Sequence, residues 1–181
     1  MSTPALTIIG SVNLDLVASA EKLPVAGETV TGATFAQHPG GKGANQALAA
    51  RRLGAEVSMI ARTGEGPNRD AALALLKADG VDLSGIVSDP EEQTGVALIA
   101  VDKAGENQIV VASGANGNLS PDDVKIDGAP DAILCQLEVP TACVLAAMRA
   151  KSHLFAVNLA PAAPVPVELL ETADLLIVNE G

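Results

Sequence analysis

The chain has 181 residues, 48% of them hydrophobic and only 1% aromatic, enough for one domain whose core must be built from alanine, valine, leucine and isoleucine. A formal net charge of −11 without any lysine or arginine cluster opposes nonspecific binding to nucleic acid and to anionic membranes. Two cysteines (Cys135, Cys143), two histidines, no C-x-x-C pair, no secretory signal and no unbroken apolar run of membrane-spanning length lead us to expect a soluble cytoplasmic protein with reduced thiols and no structural zinc.

Leu6 to Ile9 has a buried-strand pattern, and after Gly10-Ser11 the alternating Val12-Asn13-Leu14-Asp15-Leu16-Val17 resumes. Side chains two apart share one face of a strand, so the Asn13 amide and the Asp15 carboxylate can converge on one ligand. Together they offer the donor and the acceptors that neighbouring hydroxyls require; a solvated strand end explains the same pair. Pro24 to Glu28 is a turn, and Thr29 to Phe35 a β-rich segment leading to Gly40-Gly41-Lys42-Gly43-Ala44-Asn45-Gln46. Three glycines within four residues let the backbone approach a ligand closely, and the amides that open the apolar helical run from Ala47 to Leu53 supply donors and partial positive charge. The stretch fits neither G-x-x-x-x-G-K-[ST] nor G-x-G-x-x-G. A glycine turn that merely packs the helix against a sheet accounts for the same spacing.

Glu56 to Ala61 reads as a buried strand, Arg69 to Ala78 as an amphipathic helix stopped by Gly80, and Val81 to Val87 as a return to the sheet. Strands alternating with helices predict an α/β fold, doubly wound around a mostly parallel sheet with helices on both faces. Gln93 to Val101 and Asn107 to Ser113, joined by the hairpin-like Asp102-Lys103-Ala104-Gly105-Glu106, break that alternation. Strands at about 12–18, 29–36, 94–101 and 107–113 are therefore predicted to form a small separate sheet. Ala132 to Gln136 is another buried strand; Glu138 lies just beyond it, before Pro140 opens a helix over Thr141 to Ala150. Ligands of open α/β sheets collect at the carboxyl ends of strands, which makes Glu138 a binding candidate, although an acidic residue also suits a helix N-terminus. Leu154 to Leu159 repeats the strand pattern, Pro164 to Glu171 supplies a short helix, and Asp174 to Val178 a last strand running into Asn179-Glu180-Gly181.

Taken in order, Gly10 to Asp15, Pro24 to Thr29, Gly40 to Gln46, Thr94 to Ile99, Gly114-Ala115-Asn116, Gln136-Leu137-Glu138, Asn158-Leu159-Ala160-Pro161 and Asn179-Glu180 resemble the N-terminal portion of the ribokinase-like (PfkB) carbohydrate kinases. The resemblance runs across essentially the whole of residues 1–181, read as the N-terminal part of a single ribokinase-like domain. It implies that the small sheet is a lid over a sugar, and that Asn13, Asp15, Gly41, Lys42, Gly43, Asn45 and Glu138 bind that sugar. Ala97 and Val111 would form an apolar wall against its ring; core packing explains both equally well. Asn179 would begin an Asn-x-x-Glu motif linked to magnesium and phosphate, completed beyond Gly181.

The same resemblance implies transfer of the ATP γ-phosphate to a sugar primary hydroxyl, the 5-hydroxyl if the sugar is D-ribose, with Mg2+ and a monovalent cation such as K+ in the complete protein. The family's Gly-Ala-Gly-Asp element, which carries the catalytic base, is absent; Asp127-Gly128-Ala129-Pro130-Asp131 does not replace it. The 181-residue chain alone is thus expected to hold the sugar without phosphorylating it. Fructose, ketodeoxygluconate and nucleosides are the alternative substrates, and a non-catalytic sugar-binding fragment is the alternative from another class. Open strand edges on the lid are a liability unless paired, and the family resemblance implies that a homodimer pairs them.

Overall fold

The structure, a computed structural model, describes residues 3–179. In chain order it runs β1 (Ala5–Ile9), β2 (Asn13–Ser19), β3 (Thr34–Gly40), α1 (Lys42–Arg52), β4 (Glu56–Thr63), α2 (Pro67–Ala78), β5 (Asp82–Ser88), β6 (Gly95–Val101) and β7 (Asn107–Ala112). A 3₁₀ turn (Gly114–Asn118) and a shorter one (Pro121–Asp123) follow, then β8 (Ala132–Gln136), α3 (Thr141–Met148), β9 (Leu154–Asn158), α4 (Val167–Thr172) and β10 (Leu175–Ile177).

Six strands form a sheet in the order β10-β9-β8-β1-β4-β5, and every neighbouring pair is parallel. Adjacent residues of β1 point to opposite faces: Ile8 joins a core with α1 and α2 through Ala47, Leu73 and Leu76, while Ile9 joins a second core with α3 and α4 through Val144, Ala147 and Leu169. Helices on both faces are what a parallel sheet requires, since neither face can be left in water. Cys135 and Cys143 are free and buried in the second core. Burial pushes both thiols up, Cys143 to about 11.

The chain winds outward from β1 through β4 to β5, then returns to the other side of β1 at β8. The winding reverses between β1 and β8, and a crevice opens at such a reversal beyond the carboxyl ends of the strands.

Four strands, β3-β2-β6-β7, make the separate sheet. β2 pairs in parallel with β6, and the two outer pairs are antiparallel. Three of the predicted strands fall within a residue or two of their places, but the one expected over 29–36 forms over Thr34–Gly40. Gly32 adopts a positive φ of 81°, which closes the extended run, and pairing of Asn13 with Gly40 sets the register at the far end. Pro39 is tolerated because β3 is an edge strand with one side unpaired. The first helix also begins earlier than the apolar run suggests, at Lys42, so Gly43 and Asn45 lie inside its first turn.

Candidate functional site

Three chain segments meet at the switch point. The turn after β1 supplies Ser11 and the first residue of β2 is Asn13, the β3–α1 junction supplies Gly41 and Lys42, and the segment after β8 supplies Leu137 and Glu138. Gly41 is buried with φ 91°, and a Cβ there would press on the backbone of Ser11 and Asn13. Glycine is needed at this position both for the left-handed conformation and for the close approach.

The amides that open α1 are already occupied. Lys42 N–H donates to Glu138 Oε2 at 2.9 Å and Gly43 N–H to Ser11 Oγ at 3.3 Å, while Ala44 N–H donates to the Ser11 carbonyl at 2.9 Å. Ser11 Oγ in turn donates to Glu138 Oε2 at 2.5 Å. The glycine-rich turn therefore does not offer these three amides to a ligand, as its sequence suggests; Ser11 and Glu138 satisfy them, and a carboxylate at that end suits the helix dipole. Glu138 acts on the N-terminus of α1, a helix distant in sequence, rather than on α3, which follows it. Its other oxygen, Oε1, pairs with Lys42 Nζ at 3.1 Å, leaving the lysine side chain 39% exposed and the glutamate 15% exposed. These two partly accessible charges face the open side of the junction.

Asn13, Lys42, Val111 and Glu138 line one cleft of about 420 Å³ together with Ser113, Asn116 and Pro161. Asp15 stands one pleat further along β2, with its carboxylate packed over Gly40, where a Cβ would collide with it. Burial raises the Asp15 carboxyl above its ordinary value, and repulsion from Glu138 adds to this, while His38 and Lys42 pull it back. Ala97 is buried and in register with both Asp15 and Val111, so the three form one row across the small sheet. Gly43 packs against Gly10 and Ser11 beneath the cleft. Asn45 is exposed on the first turn of α1 and is not among the cleft-lining residues.

A second cleft of about 430 Å³ adjoins the first and shares Lys42 and Pro161 with it; Asn179, exposed just beyond β10, lies on its wall. The loops after β8 and β9 are tied together there by Leu137 N–H donating to the Ala160 carbonyl at 3.1 Å. Glu180 lies outside the described residues. A larger cavity of about 560 Å³ over the face of β1, β4 and β5 is lined by Thr7, Ser58, Asp82 and Asp127, away from the strand ends where ligands of such sheets collect.

Sequence reasoning assigned no role to Ser11 or Asn116. Ser11 follows the first strand directly after a glycine, a signal for a capping hydroxyl; Asn116 had no local signal beyond its place in Gly114-Ala115-Asn116. Asn116 is 1% exposed, accepts from Val12 N–H at 2.9 Å and donates to Asn13 Oδ1 at 2.8 Å.

The model of the pfkB family carbohydrate kinases matches residues 4–181. The chain is 42% identical over 182 residues to the ribokinase of Haemophilus influenzae, covering 97% of this chain and 60% of that protein. It is 38% identical to the Bacillus subtilis ribokinase, covering 97% of this chain and 62% of that one. A solved structure of Arabidopsis thaliana ribokinase complexed with ribose and ATP superposes with a TM-score of 0.82 at 29% identity, over 99% of this chain and 61% of that one. The Thermotoga maritima ribokinase structure gives 0.86 at 29% identity, over 98% and 60%. The chain thus spans about 60% of the length of these relatives. Among the described residues no helix is long and apolar enough to cross a membrane.

Proposed function

Because the chain belongs to the pfkB family of carbohydrate kinases, we propose that the complete protein transfers the γ-phosphoryl group of ATP to the 5-hydroxyl of D-ribose, and that the residues described here hold the sugar. The observation that carries this reading is the convergence of Asn13, Lys42 and Glu138 on one cleft at the switch point, with Asp15 beside it. An amide, an ammonium and two carboxylates can satisfy both the protons and the lone pairs of several adjacent hydroxyls. Ala97 and Val111 add a small apolar wall suited to the carbon face of a compact ring.

A bare sugar fits better than a nucleoside. A base needs a surface to stack on, and the chain has two aromatic residues. Phe155 is buried in the second core, and Phe35 is in register with Ala18, on the lid face opposite Asn13 and Asp15.

Phosphoryl transfer depends chiefly on alignment and charge stabilisation. Here the chain's contribution is to fix the sugar so that its primary hydroxyl faces the adjoining cleft. Lys42 lines both compartments, and its positive charge suits the entry of phosphate beside the sugar. When bound, ATP supplies the electrophilic phosphorus; Asn179, on the wall of that cleft, would hold it or its Mg2+. Among the described residues no three His, Cys, Asp or Glu side chains converge as a metal site. A positioned base is worth about 10²–10⁴-fold in rate, and we place that base outside these 181 residues; alone they are expected to bind ribose and leave it unphosphorylated.

We also assign the complete protein a homodimeric state through the lid. β3 and β7 are its unpaired edges, and Ile109, Val110 and Val111 are each about half exposed or more, a combination that invites pairing. Light scattering should give a dimer at micromolar concentration and a monomer for Ile109→Asp; a wild-type monomer would refute this assembly.

The substrate is tested by supplying the complete protein with ATP, Mg2+ and a panel of ribose, fructose, ketodeoxygluconate and adenosine, and identifying products by mass and phosphorus NMR. Ribose 5-phosphate is the expected principal product. Preference for another member of the panel, or no phosphorylated sugar at all, would overturn the reading.

A further inference from the structure

We propose that Asn116 is a positioning residue that fixes the amide of Asn13 as a hydrogen-bond donor toward the sugar, leaving the acceptor role to Asp15. This rests on the sugar-binding reading of the cleft given above.

The inference begins with two groups whose polarity cannot be reversed. The Val12 N–H must donate and the Val12 carbonyl must accept. Asn116 meets both: its Oδ1 accepts from Val12 N–H at 2.9 Å, and its Nδ2 donates to the Val12 carbonyl at 3.1 Å. Turning the Asn116 amide over would set an oxygen against a carbonyl and an NH2 against an N–H, so its orientation is determined by the backbone. The Ser113 carbonyl lies 3.0 Å from the same Nδ2, and with the Asn13 oxygen at 2.8 Å three acceptors share its two N–H bonds, a setting in which a second NH2 has no place.

The orientation of Asn116 then determines that of Asn13. Asn116 Nδ2 also lies 2.8 Å from Asn13 Oδ1, so the Asn13 oxygen is occupied as an acceptor inside the protein. Asn13 lines the cleft, and what it has left to present there is its NH2. With Asn116 reversed, Asn13 would have turned its NH2 inward and offered a carbonyl oxygen to the ligand. One buried asparagine thus decides whether the site reads a ligand lone pair or a ligand proton at this point. With Asp15 on the same face of β2, a sugar hydroxyl can accept from Asn13 while a hydroxyl proton is taken by Asp15.

The lever itself is held firmly. Ala115 N–H donates to the Gln93 carbonyl at 2.8 Å, and Asn118 Nδ2 donates to Asp89 Oδ2 at 3.0 Å, an oxygen that also pairs with Arg62 Nε at 2.9 Å. Both ends of the 3₁₀ turn are therefore anchored. Gly95 leaves the room needed for the contact, because a Cβ there would collide with both Asn13 Oδ1 and Asn116 Nδ2.

Asn116→Asp keeps the shape and the acceptor for Val12 N–H but replaces the inward donor by an oxygen, which favours the reversed Asn13 amide. In the complete protein, ribose affinity by calorimetry is expected to fall roughly tenfold, the loss of about one hydrogen bond, with KM for ribose rising and KM for ATP unchanged. In an Asn13→Ala background the same substitution should cost nothing further, because its effect passes through Asn13. Multiplying losses in the double variant, or wild-type affinity in Asn116→Asp, would overturn the proposal. Gly95→Ala, which wedges the two amides apart, should reproduce the loss if Asn116→Asp fails to fold; unchanged ribose affinity in Gly95→Ala refutes it. A readout without any sugar separates this inference from the ribose assignment. In NMR of the free protein the Asn13 side-chain NH2 should exchange rapidly with water and that of Asn116 slowly, and equal protection of the two overturns the proposal whatever the substrate proves to be.

Discussion

The two carboxylates of the site are expected to respond in opposite directions when neutralised. Glu138 is engaged by Ser11 Oγ at 2.5 Å, Lys42 N–H at 2.9 Å and Lys42 Nζ at 3.1 Å, whereas Asp15 is held in a place that disfavours its charge. Glu138→Gln keeps an oxygen for one or two of those donors but removes the charge from them and from the end of α1. Hydrogen bonds to a charged group exceed neutral ones by about 1 kcal/mol, the helix dipole adds about 0.3–1 kcal/mol, and the half-exposed ion pair contributes at most about 1 kcal/mol. The sum is a destabilisation of about 1–3 kcal/mol, which lowers the melting temperature by several degrees in a protein of this size. Asp15→Asn should leave the melting temperature unchanged or raise it, since it removes a carboxylate that burial and Glu138 both oppose. Both variants should bind ribose at least tenfold more weakly, the scale of a lost charged hydrogen bond. Differential scanning fluorimetry of the complete protein, with and without ribose, reads both effects. A Glu138→Gln protein that melts with wild type would refute the capping role, and an Asp15→Asn protein that melts well below it would refute the electrostatic reasoning at Asp15.

Acidity should separate the same groups further. The Asp15 carboxyl is raised in the folded protein, so ionising it opposes folding above its folded pKa, and the penalty disappears as pH falls below the unfolded value; the stability gap between wild type and Asp15→Asn should close through that range, while ribose affinity weakens as Asp15 takes up a proton. Asp89 behaves oppositely: donation from Asn118 and Arg62 lowers it to about 2, so its contribution is present above the ordinary aspartate range and is lost as pH falls toward 2. Asp89→Asn should accordingly lower stability at neutral pH and flatten the acid limb, which urea unfolding at several pH values measures; an unchanged acid limb would count against the Arg62 network. Gly43→Ala would place a Cβ against the backbone of Gly10 and Ser11, which cannot move aside as a side chain can. A loss of about 1–3 kcal/mol is expected, together with weaker ribose binding because α1 carries Lys42; a fully stable Gly43→Ala protein would show that this packing is not tight.

The alternation of buried strands with amphipathic helices made the main sheet legible, because Ile8 and Ile9 must each find a covered face and only helices on both sides supply them. The small sheet was legible from the break in that alternation at Gln93 to Ser113. The strand ending at Gly40 was not, because Gln37, His38 and Pro39 carry no β signal; their extended conformation comes from pairing with β2 along an edge. Asn13, Lys42 and Glu138 were singled out because each lies at an element boundary and carries polar chemistry, and the structure brings the three to one cleft. Ser11 and Asn116 escaped because their partners are backbone groups or residues on distant segments. Asn116 meets Val12 and Asn13 across more than a hundred residues, and no periodicity within one element encodes such a contact.

Those distant contacts explain how one short turn can serve packing and recognition together. A glycine-rich helix start that left its amides free would bind anions well but would be costly to bury empty. This chain fills them from within, using Ser11 and one oxygen of Glu138, and keeps the other oxygen and the Lys42 ammonium at the cleft. The turn thereby presents a donor and an acceptor side by side, which under the proposed function suits neutral hydroxyl-bearing ligands. Asp15 stands beside this pair at a cost set first by burial and then by repulsion from Glu138, which a polyol donating to both carboxylates would relieve. Ribose should therefore raise the melting temperature of wild type by more than that of Asp15→Asn at equal saturation, because only in wild type does the ligand release electrostatic strain already present in the empty cleft.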